Sequence, residues 1–151
     1  QRLLDQHCHW ERAVLMLQRE VADRLAAAPG TRDYGPLAIA TRVFAELELV
    51  MNVSATSFFP PPKVRSACVC LRFRAQPNVA IGDEDWYFEV VRAALHTRRK
   101  TLTNALLTRL KCERSQLMRV LAATRLDGRR RGETLTPAEF AALAAALRSA
   151  V

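Results

Sequence analysis

Residues 58–73 read FFPPPKVRSACVCLRF, a loop that cannot flex joined to a strand with two distinct sides. From Ser66 to Phe73 the side chains alternate. Ala67, Val69, Leu71 and Phe73 share one face, and Ser66, Cys68, Cys70 and Arg72 share the other. That period of two marks a half-covered strand, expected near a sheet edge. Ahead of it, Pro60, Pro61 and Pro62 each have a fixed φ and no amide donor, so the connection is a stiff, extended segment.

Toward the N-terminus, Glu46–Val53 (ELELVMNV) alternates and then runs apolar, which predicts a second strand. Pro36 suits a first helical position, so a helix is expected over Leu37–Ala45. Val21, Leu25 and Ala28 recur at helical spacing over Glu20–Ala28, and Pro29-Gly30 ends that helix. Arg12–Gln18 (RAVLMLQ) holds five consecutive apolar residues, which predicts a strand buried on both faces, as in a parallel sheet covered by helices. Gln18 and Glu20 then stand at the carboxyl end of that strand, where open α/β sheets bind ligands. Glu20 reads equally as a first-turn charge favoured by the helix dipole.

Toward the C-terminus, residues 76–85 are polar and turn-rich, and all that follows reads helical. The expected organisation is an α/β unit over residues 1–75 and an all-α unit over residues 76–151. Helices are predicted over Trp86–Leu110, Ser115–Thr124 and Pro137–Ala150. Thr136 and Glu139 form a capping box for the last, whose Phe140, Leu143, Ala144 and Leu147 make one apolar stripe.

The 151 residues carry a net charge of +8, which favours a polyanionic partner, with nucleic acid ahead of a membrane surface. Residues 92–131 hold twelve Lys or Arg against Glu113 and Asp127 alone, an excess of 12 − 2 = 10. The partner is therefore expected against the C-terminal half. No apolar run approaches the roughly 20 residues that span a bilayer. The first fifteen residues do not read as a signal peptide. A soluble, cytoplasmic monomer is expected. The chain opens on Gln1 with no methionine before Met16, which reads as a fragment or a processed product.

Cys8, Cys68, Cys70 and Cys112 lack the paired spacing of a zinc site and the density of a disulfide scaffold. His7, Cys8 and His9 are adjacent, and on a helix adjacent side chains diverge, so no metal is expected. The five glycines, at 30, 35, 82, 128 and 132, never form the glycine-rich strand-to-helix turn that lets a backbone approach a nucleotide cofactor. No P-loop, nucleophile elbow or Ser/His/Asp pattern is present. On the residues alone the chain reads as a nucleic-acid-binding α/β and helical fragment.

Five stretches extend that reading: LMLQREVADRL (Leu15–Leu25), DYGPLAIATR (Asp33–Arg42), FFPPPKVRSACVCLRF (Phe58–Phe73), TRRKTLTNAL (Thr97–Leu106) and RGETLTPAEFAALA (Arg131–Ala144). In this order and spacing the chain resembles the C-terminal part of the ribosomal RNA adenine N6,N6-dimethyltransferases that modify two adjacent adenines of small-subunit rRNA. The resemblance implies the C-terminal portion of a class I, Rossmann-like methyltransferase sheet followed by a small helical rRNA-binding domain. It implies S-adenosylmethionine as cofactor, bound by motifs that precede the segment beginning here, and small-subunit rRNA or the pre-ribosomal small subunit as partner.

The resemblance also assigns residues. Phe58 matches the aromatic that stacks on the extruded adenine, which leaves Phe59 for the core. Pro60 and Lys63 in the proline loop would contact RNA, as would Arg98, Arg99, Lys100 and Asn104 in the RRKT stretch, and Arg131 beyond them. By themselves the aromatic pair reads first as a core plug and the run 98–100 first as solvated surface, while 129–131 reads equally as solvated surface. The chain departs from the family in three places: Arg65 stands where the family has Asp, Thr97 where it often has Gln, and Thr103 where it often has Arg. Two other readings stand beside the leading one: a non-catalytic RNA-binding or ribosome-assembly module, and a resistance methyltransferase acting on large-subunit rRNA.

Overall fold

The computed structural model describes Leu4 and residues 9–150, so His7 and Cys8 of the His-Cys-His cluster lie outside the described residues. Two compact units emerge. The first holds residues 32–78 and the described residues up to Ala28; the second holds Pro29–Thr31 and the described residues from Val79 onward.

In the first unit, β1 (Arg12–Gln18), β2 (Ala45–Val53) and β3 (Ser66–Phe73) form one sheet in the order β1-β3-β2. Both outer strands run antiparallel to β3, with Leu15 opposite Val69 and Leu47 opposite Leu71. Residues directly opposite one another share a face. One face therefore carries Leu15, Val69 and Leu47, and helices α1 (Arg19–Ala26) and α2 (Pro36–Phe44) supply its cover. Ala22, Leu25, Ala67 and Val69 are buried there, with Leu15, Leu17, Leu37 and Leu47 packed against them. Arg42 of α2 donates to the Ala27 and Ala26 carbonyls at 3.0 and 3.1 Å, satisfying acceptors that the end of α1 leaves open.

Two expectations are corrected here. β1 is not buried on both faces: Val14 and Met16 are 65% and 56% exposed, because helices cover one side of the sheet only. An unbroken apolar run does not say whether the second face has a cover within the same chain. β3 is not an edge strand but the central one, since alternation reports which faces are covered, not how many strands lie alongside. Between Leu49 and Met51 the β2 register slips by one residue, which leaves Val50 as the extra residue of a bulge.

The second unit packs α3 (Glu84–Leu95), α4 (Leu102–Arg109), α5 (Arg114–Ala123) and α6 (Pro137–Ala150) around Tyr87, Leu102, Leu106, Leu117, Phe140 and Leu143, all fully buried. α6 has the predicted bounds, and its capping box is closed: Thr136 N–H donates to Glu139 Oε2 at 2.7 Å and Glu139 N–H to Thr136 Oγ1 at 3.2 Å. The Trp86 indole N–H donates to the Ala144 carbonyl at 2.8 Å and the Tyr87 hydroxyl to Pro137 O at 3.2 Å, so α3 and α6 are joined by polar as well as apolar contacts.

The single long helix expected over residues 86–110 is instead two, with residues 96–101 between them in a turn. Thr101 caps α4, its hydroxyl accepting from Asn104 N–H. The next two amides of α4 donate to a distant turn, Leu102 N–H to Arg130 O at 2.7 Å and Thr103 N–H to Gly128 O at 3.1 Å. Glycine is required in that turn by close approach. A Cβ on Gly128 would lie 2.2 Å from Thr103 Oγ1, and one on Gly132 would lie 2.4 Å from the Ala94 carbonyl oxygen.

Candidate nucleic-acid interface

Each unit presents its own surface. In the first, the carboxyl ends of β1 and β2 point the same way, and the loop that follows β2 starts there. Ser54 shapes the loop's first turn, its hydroxyl accepting from Thr56 N–H at 3.3 Å and its carbonyl from Ser57 N–H at 3.1 Å. Phe58 N–H donates to Ala55 O at 3.3 Å. The prolines follow, and the loop re-enters the sheet at Arg65, whose carbonyl accepts from Arg19 N–H at 2.9 Å. The Arg19 guanidinium donates to Asn52 Oδ1 and, at 2.9 Å, to Asp23. Arg19 thus ties the loop's far end to the end of β2 and to α1. Its place after an apolar strand was its only sequence signal, and the sequence reading passed over it.

Along this loop Phe58 is half-buried, and Pro60 and Lys63 are exposed. Phe59 is 100% exposed, which overturns its expected place in the core. A loop residue ahead of a proline has no periodicity to report its side, so the pair could not be ordered from sequence. Gln18 sits opposite Ser66 and is exposed, while Glu20 forms an ion pair with Arg24 one turn along α1, the ordinary use of a first-turn carboxylate.

In the second unit, Arg98, Arg99 and Lys100 lie in the α3–α4 turn rather than on a helix, and all three are exposed. Arg98 and Arg131 share one carboxylate, Glu133, at 3.2 and 3.9 Å. Asn104 is exposed on α4. Arg129 is held by Asp127 at 3.2 Å. The hydrogen bonds from the Arg129 side chain and backbone keep that carboxyl below its usual range. Arg130 is different. Half-buried, it donates to both Glu139 oxygens and to the Thr134 hydroxyl and carbonyl, and so supports the start of α6. Burial opposes ionisation of Glu139, but the bonds from Arg130 and Thr136 outweigh it and hold the carboxyl below its usual range.

Of the twelve cations between Arg92 and Arg131, four are therefore engaged by Asp127, Glu133 and Glu139. The other eight, Arg99, Lys100, Arg109 and Arg119 among them, are exposed and make no ion pair among the described residues. Eight exposed cations without an ion pair among the described residues give this helical unit a positive surface. Thr103, at a position where arginine was the family expectation, is buried with its hydroxyl on Gly128 O at 3.1 Å, so it adds no cation.

Among the described residues no group of three or more His, Cys, Asp or Glu is placed to hold a metal ion, and no helix is long and apolar enough to cross a membrane. The turns that leave β1 and β2, at Gln18–Arg19 and Val53–Ser54, contain no glycine. These residues do not fit a nucleoside-cofactor loop, whose backbone must come close to its ligand.

The family model described as ribosomal RNA adenine dimethylase matches residues 1–143. The chain is 54% identical over 137 residues to ribosomal RNA small subunit methyltransferase A of Geobacillus sp. (strain WCH70), covering 89% of this chain and 47% of that protein. It is 44% identical over 150 residues to the protein of the same name from Bacillus licheniformis, covering 97% of this chain and 51% of that one. The chain thus spans about half the length of the curated relatives it matches. Among solved structures it is similar to a dimethyladenosine transferase from Plasmodium falciparum, with a TM-score of 0.79 at 26% identity, covering 93% of this chain and 58% of that one. It is also similar to the 23S rRNA methyltransferase ErmE, with a TM-score of 0.58 at 27% identity, covering 91% of this chain and 55% of that one.

Proposed function

This chain belongs to the ribosomal RNA adenine dimethylase family, and on that premise we propose that it serves S-adenosylmethionine-dependent dimethylation of adenines in small-subunit rRNA, contributing the grip on the target base and on the rRNA. The carrying observation is the set of eight exposed, unpaired cations in the helical unit. They bind the phosphate backbone, Arg99 and Lys100 foremost. In the sheet unit Phe58 stacks on the extruded adenine from a loop that its prolines keep stiff, and Pro60 and Lys63 line the approach. Base stacking on an aromatic contributes ~1–3 kcal/mol and tolerates any groove geometry, which suits an enzyme that must take a base out of its stack. The glycine-free turns of this chain do not fit the cofactor, so its contribution is to the RNA alone. The protein acts in the cytoplasm on rRNA or the pre-ribosomal small subunit, as a monomer.

The test is affinity for a small-subunit rRNA fragment across salt. A steep linear fall of log K with log salt supports the proposal, and an affinity indifferent to salt overturns it. The same glycine-free turns favour a second reading, a non-catalytic RNA-binding module. Adding the portion of the Geobacillus relative that this chain does not span separates the two. Restored methylation of adenine favours the first reading, and RNA binding with no methylation favours the second.

A further inference from the structure

We propose that Phe59 is a second stacking platform, which takes an unpaired nucleobase of the RNA other than the one held by Phe58. This rests on the rRNA reading above and extends it to a residue that the resemblance had left for the core. The Phe59 ring is 100% exposed, whereas burying such a ring would typically gain ~1.5–3 kcal/mol. Its position is nevertheless held from both sides. The Ser57 and Phe58 amides are tied to the Ser54 and Ala55 carbonyls at 3.1 and 3.3 Å on one side, and three prolines follow on the other. A ring projected from so stiff a segment loses little conformational freedom when a base settles on it. The loop stands at the end of the sheet where β1 and β2 both finish, opposite Ser66. Exposed cations, Lys63 and Arg65, follow Phe59 along the same loop. An aromatic face beside cations is the chemistry of single-stranded nucleic acid, with stacking for the bases and charge for the backbone.

The experiment measures binding of the full chain to a short oligoadenylate RNA and to the same oligomer with abasic positions. The proteins compared are wild type, Phe59→Ala, Phe59→Trp and the double variant Arg99→Ala/Lys100→Ala. Phe59→Ala is expected to weaken binding to the intact oligomer by about 5- to 150-fold, the stacking range expressed as affinity. It should leave the melting temperature unchanged, and binding to the abasic oligomer should change little. Phe59→Trp should retain affinity and show fluorescence quenching, beyond the wild-type change, with the intact oligomer only. Equal binding by wild type and Phe59→Ala overturns the inference, and if the cation variant still loses affinity, the rRNA reading survives. A fall in melting temperature for Phe59→Ala with unchanged affinity assigns the ring to a polypeptide contact and overturns it as well. Failure of the wild type to bind either oligomer or the rRNA fragment at low salt overturns both.

Discussion

Arg130 and Glu139 meet as a two-pronged ion pair, Nη1 to Oε1 at 2.5 Å and Nη2 to Oε2 at 3.3 Å, in the midst of a run of arginines that otherwise faces solvent. Glu139 also accepts from Thr136 N–H, so one carboxylate caps α6 and anchors the turn on which α4 begins. Arg130→Ala should therefore cost stability, by about 1–3 kcal/mol, the range for a lost hydrogen bond to a charged partner. Arg130→Lys should recover only part of it, because an ammonium cannot make the paired bonds. The Glu139 carboxyl sits below its usual 4.5, so its contribution is complete above that pH and is lost as pH falls through the lower folded value. Urea unfolding of wild type and Arg130→Ala should differ at pH 7 and converge in strong acid. A gap that persists there in full would assign the effect to the Arg130 bonds on Thr134 and to packing rather than to the ion pair.

Arg98 and Arg99 are neighbours in sequence with different surroundings. Arg98 is shared with Glu133 and Arg99 has no acidic partner among the described residues. Arg99→Ala/Lys100→Ala should reduce the magnitude of the salt slope for RNA binding by about 1.4–1.8, at 0.7–0.9 per phosphate contact. Arg98→Ala should change the slope less and lower the melting temperature slightly, since Glu133 then loses a partner. Equal slopes for all three proteins would return this turn to the solvated surface.

That contrast shows where sequence reading reached and where it stopped. α6 was legible because Thr136, Pro137, Glu139 and its apolar stripe are all local signals that agree. β3 was legible as a strand for the same reason, but Cys70, on the face expected to be open, is buried between its neighbours. The break before α4 was not. What fixes it is the docking of Leu102 and Thr103 amides on carbonyls at 130 and 128, a partner no local window contains. The exposure of Val14 and Met16 was illegible for a related reason, since an apolar run reports affinity for a cover and not its presence. At the interface, charge density was readable from composition, but which arginines are already spent on Asp127, Glu133 and Glu139 needed three dimensions.

Glycine substitutions should rank by the space around each Cα rather than by helix or loop membership. Gly132→Ala would press a methyl against backbone, the Ala94 carbonyl, and should destabilise by about 1–3 kcal/mol, the usual cost of overpacking. Gly35 has extended backbone at φ −164° and nothing within 4 Å, so Gly35→Ala should be neutral or stabilising by up to ~1 kcal/mol through the unfolded chain. Chemical denaturation of the two variants checks the order, and a harmless Gly132→Ala would show that the α3–turn contact gives way easily.

Arg125 holds the one positive φ among the described non-glycine residues, +55°, directly after the C-cap of α5. The hydrogen bonds there explain it: Leu126 N–H donates to Leu121 O at 2.9 Å and Arg125 N–H to Ala122 O at 3.1 Å. This double closure ends a helix with a left-handed residue, which is why glycine is favoured at that place. A side chain in this conformation costs roughly 1–2 kcal/mol. The greater freedom of glycine in the unfolded chain takes back about 0.5–1 kcal/mol. Arg125→Gly should then stabilise by up to about 1.5 kcal/mol, read as a shift in denaturant midpoint without a change in slope. Arg125→Ala keeps the strain and should gain nothing. The exposed guanidinium is also one of the eight unpaired cations, so Arg125→Gly should lower the magnitude of the RNA salt slope by about 0.7–0.9 if it touches a phosphate. A stability gain with reduced RNA affinity means that strain is retained for binding, and a gain with unchanged affinity means that arginine merely tolerates the position. A loss of stability would refute the strain account, because the side chain must then make a contact worth more than the backbone it distorts.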